Sequence, residues 1–198
     1  VDAVSVLTPY FISPNEAQLF DHYRAVAEST SLPVLLYGNP ARTGVKLPID
    51  LVARLAEIDN SVGIKDSSGD LELTSEYIRV VPEGFSVLMG RDTLIYAALL
   101  SGAKGAIAAT GNVCPALVAQ IYDRFVAGDL EGARRCQQEL APLRMAFSWG
   151  TFPVVIKEAL DLMGLQAGPG RAPRHPGPTR RSPAHIRSAT RFRSISSV

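Results

Sequence analysis

The sequence predicts an α/β protein built on a parallel β-sheet. Five short apolar segments alternate with segments whose apolar residues repeat at helical spacing. The connections are short and the strands have no polar face, so both faces of the sheet should be covered. With 198 residues, of which 46% are hydrophobic and 20% charged, the chain is large enough for one domain with a sizeable core.

The predicted strands and helices follow one another in order. Strands are expected at 1–7, 32–37, 62–65, 85–89 and 105–109. The first helix should begin at Ser13-Pro14-Asn15-Glu16, because Ser-x-x-Glu with proline at the first helical position is typical of a helix start. Further helices are expected at 48–58, 71–80 and 93–100. The alternation then stops, and the last part of the chain predicts helices at 115–127, 129–147 and 152–163.

Composition divides the chain into three predicted segments: a β/α segment at 1–112, a helical segment at 113–166 and a tail at 167–198. The tail contains seven arginines and no acidic residue. Subtracting their charge from the total of +1 leaves −6 on the first 166 residues. A segment rich in arginine, proline and serine predicts disorder. The alternatives are a non-native tail and a basic arm for nucleic acid or an acidic surface.

The remaining totals suggest a cytoplasmic protein. The two cysteines, Cys114 and Cys136, form neither a disulfide framework nor a metal-binding pattern. No apolar run reaches the roughly 18 residues that a membrane span needs, and no charged-then-apolar leader opens the sequence.

Lys65 is the first candidate for chemistry, because it lies at the end of the apolar strand 62–65. Lysine is seldom buried without a reason, and an apolar environment favours the neutral amine. A neutral amine adds to a ketone or aldehyde and forms a Schiff base. The alternative is a lysine whose ammonium group extends from the strand end into water.

A second apolar strand ends in a similar way, and the two segments together resemble a known family. The sequence YGNPARTG at 37–44 offers Tyr37 as a proton relay and Arg42 as a partner for a carboxylate. It is followed by GIKDSSGD at 63–70, with 28 residues from Tyr37 to Lys65. These motifs and their spacing resemble the dihydrodipicolinate synthase and N-acetylneuraminate lyase family.

The resemblance implies a fold and covers residues 1–166. Members of this family are TIM barrels, (β/α)8, followed by C-terminal helices. By motif order, the five predicted strands correspond to about strands four to eight, so the chain is expected to be an N-terminally truncated member with an incomplete barrel. The family's Gly-Thr-Thr-Gly loop, which binds the pyruvate carboxylate, has no counterpart in this sequence.

The resemblance also implies a role for each matching residue. Lys65 corresponds to the Schiff-base lysine, Tyr37 to the proton-relay tyrosine and Arg42 to the residue that receives the carboxylate of the aldehyde. Further residues expected to line the substrate site are Tyr10, Gly90 and Ile107. Phe11 replaces a second relay tyrosine that acts across a subunit interface in the synthase, and it has no hydroxyl group.

Some of these residues also have structural interpretations. Arg42 could pair with an acid such as Asp66, which itself resembles a charge at a helix N-terminus. Ser67 and Ser68 resemble turn or cap residues more than nucleophiles, because no histidine lies in either motif.

The implied activity is that of a Schiff-base-forming lyase resembling 4-hydroxy-tetrahydrodipicolinate synthase. Such an enzyme condenses pyruvate with an aldehyde such as aspartate semialdehyde. A 2-keto-3-deoxy sugar acid or 4-hydroxy-2-oxoglutarate type aldolase is the first alternative, and an inactive truncated remnant is the second. The family needs no metal or organic cofactor, and a homo-oligomer, commonly a tetramer, is expected. Neither nucleic acid nor a membrane is an expected partner.

Overall fold

The computed structural model of the chain describes residues 1–171, and these divide into two compact units. The first unit is Val1–Ala108 and the second begins at Ala109. The first contains a five-stranded sheet in the order β1-β2-β3-β4-β5, in which each strand pairs in parallel with the next along the chain. The prediction of a parallel α/β sheet is therefore confirmed.

The strands of this sheet are short. Their bounds are β1 (Val4–Leu7), β2 (Val34–Gly38), β3 (Ser61–Asp66), β4 (Ser86–Met89) and β5 (Gly105–Ala106). The helices of the first unit are α1 (Glu16–Glu28), α2 (Pro40–Thr43), α3 (Ile49–Leu55), α4 (Leu71–Val80) and α5 (Ile95–Leu100). A single 3-10 turn, Asp92–Leu94, leads into α5.

The two faces of the sheet differ in burial. On one face, Leu36, Ile64 and Val87 join the helices in a continuous hydrophobic core and are at most 2% exposed. Strand geometry places their neighbours, Tyr37 and Lys65 among them, on the opposite face, and these side chains are only partly buried. The face that carries the candidate lysine is therefore accessible in this structure.

The start of α1 differs from the sequence prediction. Asn15, not Ser13, caps the helix: its side chain accepts a hydrogen bond from the Gln18 backbone, and the Gln18 side chain accepts one from the Asn15 backbone, both at 3.0 Å. The Ser13–Glu16 box was thus predicted two residues too early. In the observed box, Asn15 and Gln18 each accept a hydrogen bond from the other's backbone N–H group, and Pro14 lies before the helix.

Several other predicted bounds need correction. The strand predicted at 1–7 starts at Val4, and the one predicted at 105–109 ends at Ala106, because a 3-10 turn occupies Ala109–Asn112. Helix α2 was not predicted at all. Its four residues are too few to show an apolar periodicity, and they begin at a proline in the first helical position, Pro40.

The second unit is helical in its described part. It contains α6 (Pro115–Val126), α7 (Leu130–Ala146) and α8 (Val154–Leu162). All three lie within the ranges predicted from the sequence. Near its C-terminal end, the Lys157 ammonium donates a 3.0 Å hydrogen bond to the Ala167 carbonyl oxygen. The predicted tail lies outside the described residues from position 172 onward.

Gly63 shows how closely the centre of the sheet is packed, and it yields a first prediction. A Cβ atom there would lie 2.5 Å from the Ser86 carbonyl oxygen and 2.8 Å from a methyl group of Leu35. Gly63→Ala should therefore destabilise the fold by about 1–3 kcal/mol, as overpacking does. Gly84→Ala is the matched control, because a Cβ atom at Gly84 would meet nothing within 4 Å. Urea unfolding followed by circular dichroism measures both, and equal stabilities would contradict the packing seen here.

Candidate active site

The register of the sheet brings the two predicted catalytic residues together. Tyr37 of β2 pairs directly with Lys65 of β3, at the carboxyl ends of both strands. The Lys65 Nζ atom lies 4.2 Å from the centroid of the Tyr37 ring. Carboxyl ends of parallel strands are where α/β folds of this kind place their chemistry. An amine and a phenol thus lie side by side in a position suited to acting on the same small molecule.

The Tyr37 hydroxyl has a polar environment. Asn39 donates a hydrogen bond to it from Nδ2 at 3.0 Å. Partial burial raises the pKa of Tyr37, but the Asn39 amide, the positive charge of Lys65 and the Ser67 side chain together outweigh that effect. The net result is a pKa below the ordinary value of 10.0. A phenol that loses its proton more readily than usual is better suited to proton transfer near neutral pH.

The turn after β3 brings Ser67 next to this pair. The Ser67 backbone N–H donates a 2.8 Å hydrogen bond to the Gly38 carbonyl oxygen, and Ser67 is only 5% exposed. Its hydroxyl oxygen occupies the space that a Cβ atom at position 90 would need, so that glycine is required there. Gly90 itself donates a hydrogen bond to the Asp66 carbonyl oxygen at 2.7 Å.

Asp66 holds the same turn from the other face of the sheet. Its buried carboxylate accepts a hydrogen bond from the Thr74 hydroxyl at 2.6 Å and another from the Ser68 backbone at 2.8 Å. Asp70 then caps α4 by accepting from the Leu73 backbone at 3.1 Å. The helix N-terminal role suggested for Asp66 thus belongs to Asp70, whereas Asp66 connects β3 to the first turn of α4.

The other predicted site residues lie around the same edge of the sheet. Arg42 is exposed in α2, directly after β2. Tyr10, which follows β1, is 68% exposed. Ile107 follows β5, is 39% exposed and donates its backbone N–H to Met89 at 2.9 Å. The fold places all of them after strand ends, and Tyr37 and Lys65 are in direct contact there.

Two residues that contact Tyr37 were missed in the sequence. Asn39 lies two residues beyond Tyr37, and Ser67 lies two residues beyond Lys65. Because side chains two apart on an extended chain share a face, that spacing was the available signal. Ser67 was interpreted as a turn or cap residue, and Asn39 was given no role.

Comparison with known proteins assigns the chain to a family. The profile of the dihydrodipicolinate synthetase family matches residues 1–186. The chain belongs to this family. It is 44% identical over 172 residues to the 4-hydroxy-tetrahydrodipicolinate synthase of Archaeoglobus fulgidus, an alignment that covers 87% of this chain and 60% of that relative. It is 42% identical to the enzyme of the same name from Methanothrix thermoacetophila, covering 88% and 60% of the two chains.

Solved structures of this dihydrodipicolinate synthetase family share the fold. The crystal structure of the dihydrodipicolinate synthase DapA-2 from Bacillus anthracis superposes with a TM-score of 0.90 at 34% identity, covering 97% of this chain and 65% of that one. The parallel sheet and its helices thus have the fold of a TIM-barrel family. The chain spans about 60% of the length of the curated relatives named above.

Residues 1–171 hold neither a cluster of metal ligands nor a helix suited to a membrane. No group of three or more histidine, cysteine, aspartate or glutamate side chains there is arranged to hold a metal ion. None of the helices in the same range has the length and apolar character to cross a membrane.

Proposed function

We propose that the chain carries the Schiff-base centre of a lyase of the 4-hydroxy-tetrahydrodipicolinate synthase type, which condenses pyruvate with an aldehyde such as aspartate semialdehyde. The contact between Lys65 and Tyr37 carries this proposal, since a Schiff base needs an amine beside a proton donor. The names of the two curated relatives described above favour the synthase over the aldolases. In the same proposal, β1 to β5 correspond to about strands four to eight of the barrel, and the protein works in the cytoplasm.

The proposed reaction uses the two residues in sequence. The neutral Lys65 amine adds to the keto carbon of pyruvate, and a proton passes from nitrogen to oxygen to give a carbinolamine. Tyr37 donates its proton to the carbinolamine hydroxyl, which leaves as water and yields an iminium ion. The Tyr37 phenolate then removes a proton from the methyl group to give an enamine. The terminal carbon of the enamine forms the new bond to the aldehyde carbon, and the aldehyde oxygen takes up the proton from Tyr37. Hydrolysis frees Lys65, so neither metal nor organic cofactor is required.

The enamine step can be tested without an aldehyde. In D2O, reversible enamine formation replaces the methyl protons of pyruvate with deuterium, so the methyl signal in proton NMR should decay faster with the chain present. Tyr37→Phe should slow this exchange by roughly a hundredfold or more, the usual share of general acid–base catalysis. Exchange at the rate of the buffer alone, in the parent chain at saturating pyruvate, would sink the proposed function and favour an inactive remnant.

Arg42 is proposed to bind the carboxylate of the aldehyde, and its position after β2 supports this role. Arg42→Ala should weaken use of a carboxylated aldehyde by about tenfold or more, because charged hydrogen bonds of this kind contribute about 1.5–3 kcal/mol. Formation of the imine with pyruvate should change little. Arg42→Lys is the control that keeps the charge without the two-pronged geometry. Equal losses in both steps would show that Arg42 supports the loop and does not select the substrate.

We also propose that the chain forms a homo-oligomer, a tetramer by analogy with the family. The support is a loop after β1 in which Tyr10, Phe11 and Ile12 are 68%, 93% and 78% exposed. Three consecutive large apolar side chains in water are typical of an association surface. Phe11→Ser should shift the chain toward smaller species in sedimentation velocity, and Leu100→Ser, at a 54% exposed helical position, should not. Unchanged sedimentation of Phe11→Ser would exclude this loop from the contact.

A further inference from the structure

Ser67 lies beside the candidate catalytic residues, and the proposed reaction gives it no role. It follows Lys65 by two residues, so its side chain falls on the same face of the sheet as Lys65 and the paired Tyr37. Its backbone is anchored to Gly38, the residue after Tyr37, by a 2.8 Å hydrogen bond. The side chain is therefore held next to the tyrosine and is not directed into solvent.

The space for this hydroxyl is provided by the neighbouring strand. Residue 90 lacks a side chain, and the Ser67 oxygen fills the volume that a Cβ atom there would occupy. A buried hydroxyl needs a polar partner, because burial without one costs free energy. The Tyr37 hydroxyl is a polar side-chain group beside Ser67 on this face.

We propose that Ser67 is a positioning residue for Tyr37: its hydroxyl hydrogen-bonds the tyrosine hydroxyl and, with Asn39 on the other side, holds it over the Lys65 amine. This inference rests on the proposed function of Lys65 and Tyr37. Asn39 can only donate through Nδ2, so it occupies one lone pair of the phenol oxygen. Ser67 can accept the phenol hydrogen, or donate to the phenolate once the proton has moved. Both states of Tyr37 then keep a partner during proton transfer.

The groups around Tyr37 determine how loss of the Ser67 hydroxyl should change the pKa of Tyr37. Lys65 on β3 is the titratable group that faces it, Leu7 pairs with it from β1, and Asn39 and Ser67 are neutral. The Ser67 interaction favours the phenolate. Its removal should therefore move the Tyr37 titration to higher pH, while the effect of Lys65 remains.

The test compares Ser67→Ala with Ser68→Ala, a control in the same turn whose hydroxyl accepts from the Asp70 backbone at 3.1 Å instead. Tyrosine labelled with carbon-13 at Cζ gives one NMR signal for each of the six tyrosines, and Tyr37→Phe assigns the relevant one. We expect the Tyr37 midpoint to rise in Ser67→Ala and to stay at the parent value in Ser68→Ala. Ser67→Thr, which keeps the hydroxyl, should restore it.

A second readout links this interaction to the chemistry. Ser67→Ala should slow deuterium exchange into pyruvate by about tenfold, less than Tyr37→Phe does, because the phenol remains but is less well placed. If the parent chain shows no exchange at all, the proposed function fails, and the tyrosine titration still decides the role of Ser67. An unchanged Tyr37 midpoint in a folded Ser67→Ala variant would overturn the inference.

Discussion

Lys65→Ala should abolish every covalent adduct between the chain and pyruvate while leaving the fold nearly intact. The lysine side chain lies on the partly buried face of the sheet, against the Tyr37 ring, so its loss removes little apolar packing. The amine, in contrast, has no substitute at that position. Incubation with pyruvate and borohydride, followed by intact-mass measurement, should show one reduced pyruvyl group on the parent chain and none on the variant.

The matched control is Lys104→Ala. Lys104 lies directly before β5 in the same unit, and its backbone N–H donates to the Val87 carbonyl oxygen whatever the side chain is. This variant should be labelled like the parent chain. Both variants should unfold within about 0.5 kcal/mol of the parent chain, because neither lysine side chain belongs to the hydrophobic core. Labelling of Lys65→Ala at the parent level would mean that a different amine reacts.

Asp66→Ala should produce the largest loss of stability among the substitutions proposed around the site. The carboxylate is 2% exposed and accepts from both the Thr74 hydroxyl and the Ser68 backbone. Hydrogen bonds to a charged group contribute about 1.5–3 kcal/mol each, and the Thr74 hydroxyl left behind is buried, so we expect a loss of about 2–4 kcal/mol. Urea unfolding measures it.

The turn offers its own control for this prediction. Asp70→Ala removes an exposed cap of α4 and should cost only about 1 kcal/mol. Asp66→Asn should fall between the two, because its amide oxygen still accepts one hydrogen bond and the charge is gone. Equal stabilities of Asp66→Ala and Asp70→Ala would show that the buried Asp66 carboxylate does not hold β3 to α4.

The sequence was sufficient to predict the parts of the fold that depend on local patterns. Helix α4 was predicted with its observed bounds, and the Pro82-Glu83-Gly84 turn marks its end. The direct pairing of Tyr37 with Lys65 follows from the parallel register, which the sequence alone did not predict.

The parts that were missed depend on short-range geometry that has no periodic signal. The cap of α1 is Asn15 and not Ser13. Ser13-x-x-Glu16 and Asn15-x-x-Gln18 both have the residue types of a capping box, and the side-chain contacts in the structure form the second one. Ser67 was interpreted as a turn residue. Its orientation depends on a backbone hydrogen bond to another strand and on the absence of a side chain at Gly90, and both are tertiary facts.

The site of the covalent adduct on the parent chain tests the central claim most directly. Borohydride-trapped protein, digested and mapped by tandem mass spectrometry, should carry the reduced pyruvyl group on the peptide that contains Lys65 and on no other lysine peptide. An adduct on Lys46, Lys104 or Lys157, or no adduct at saturating pyruvate, would contradict the assignment of Lys65 as the Schiff-base residue.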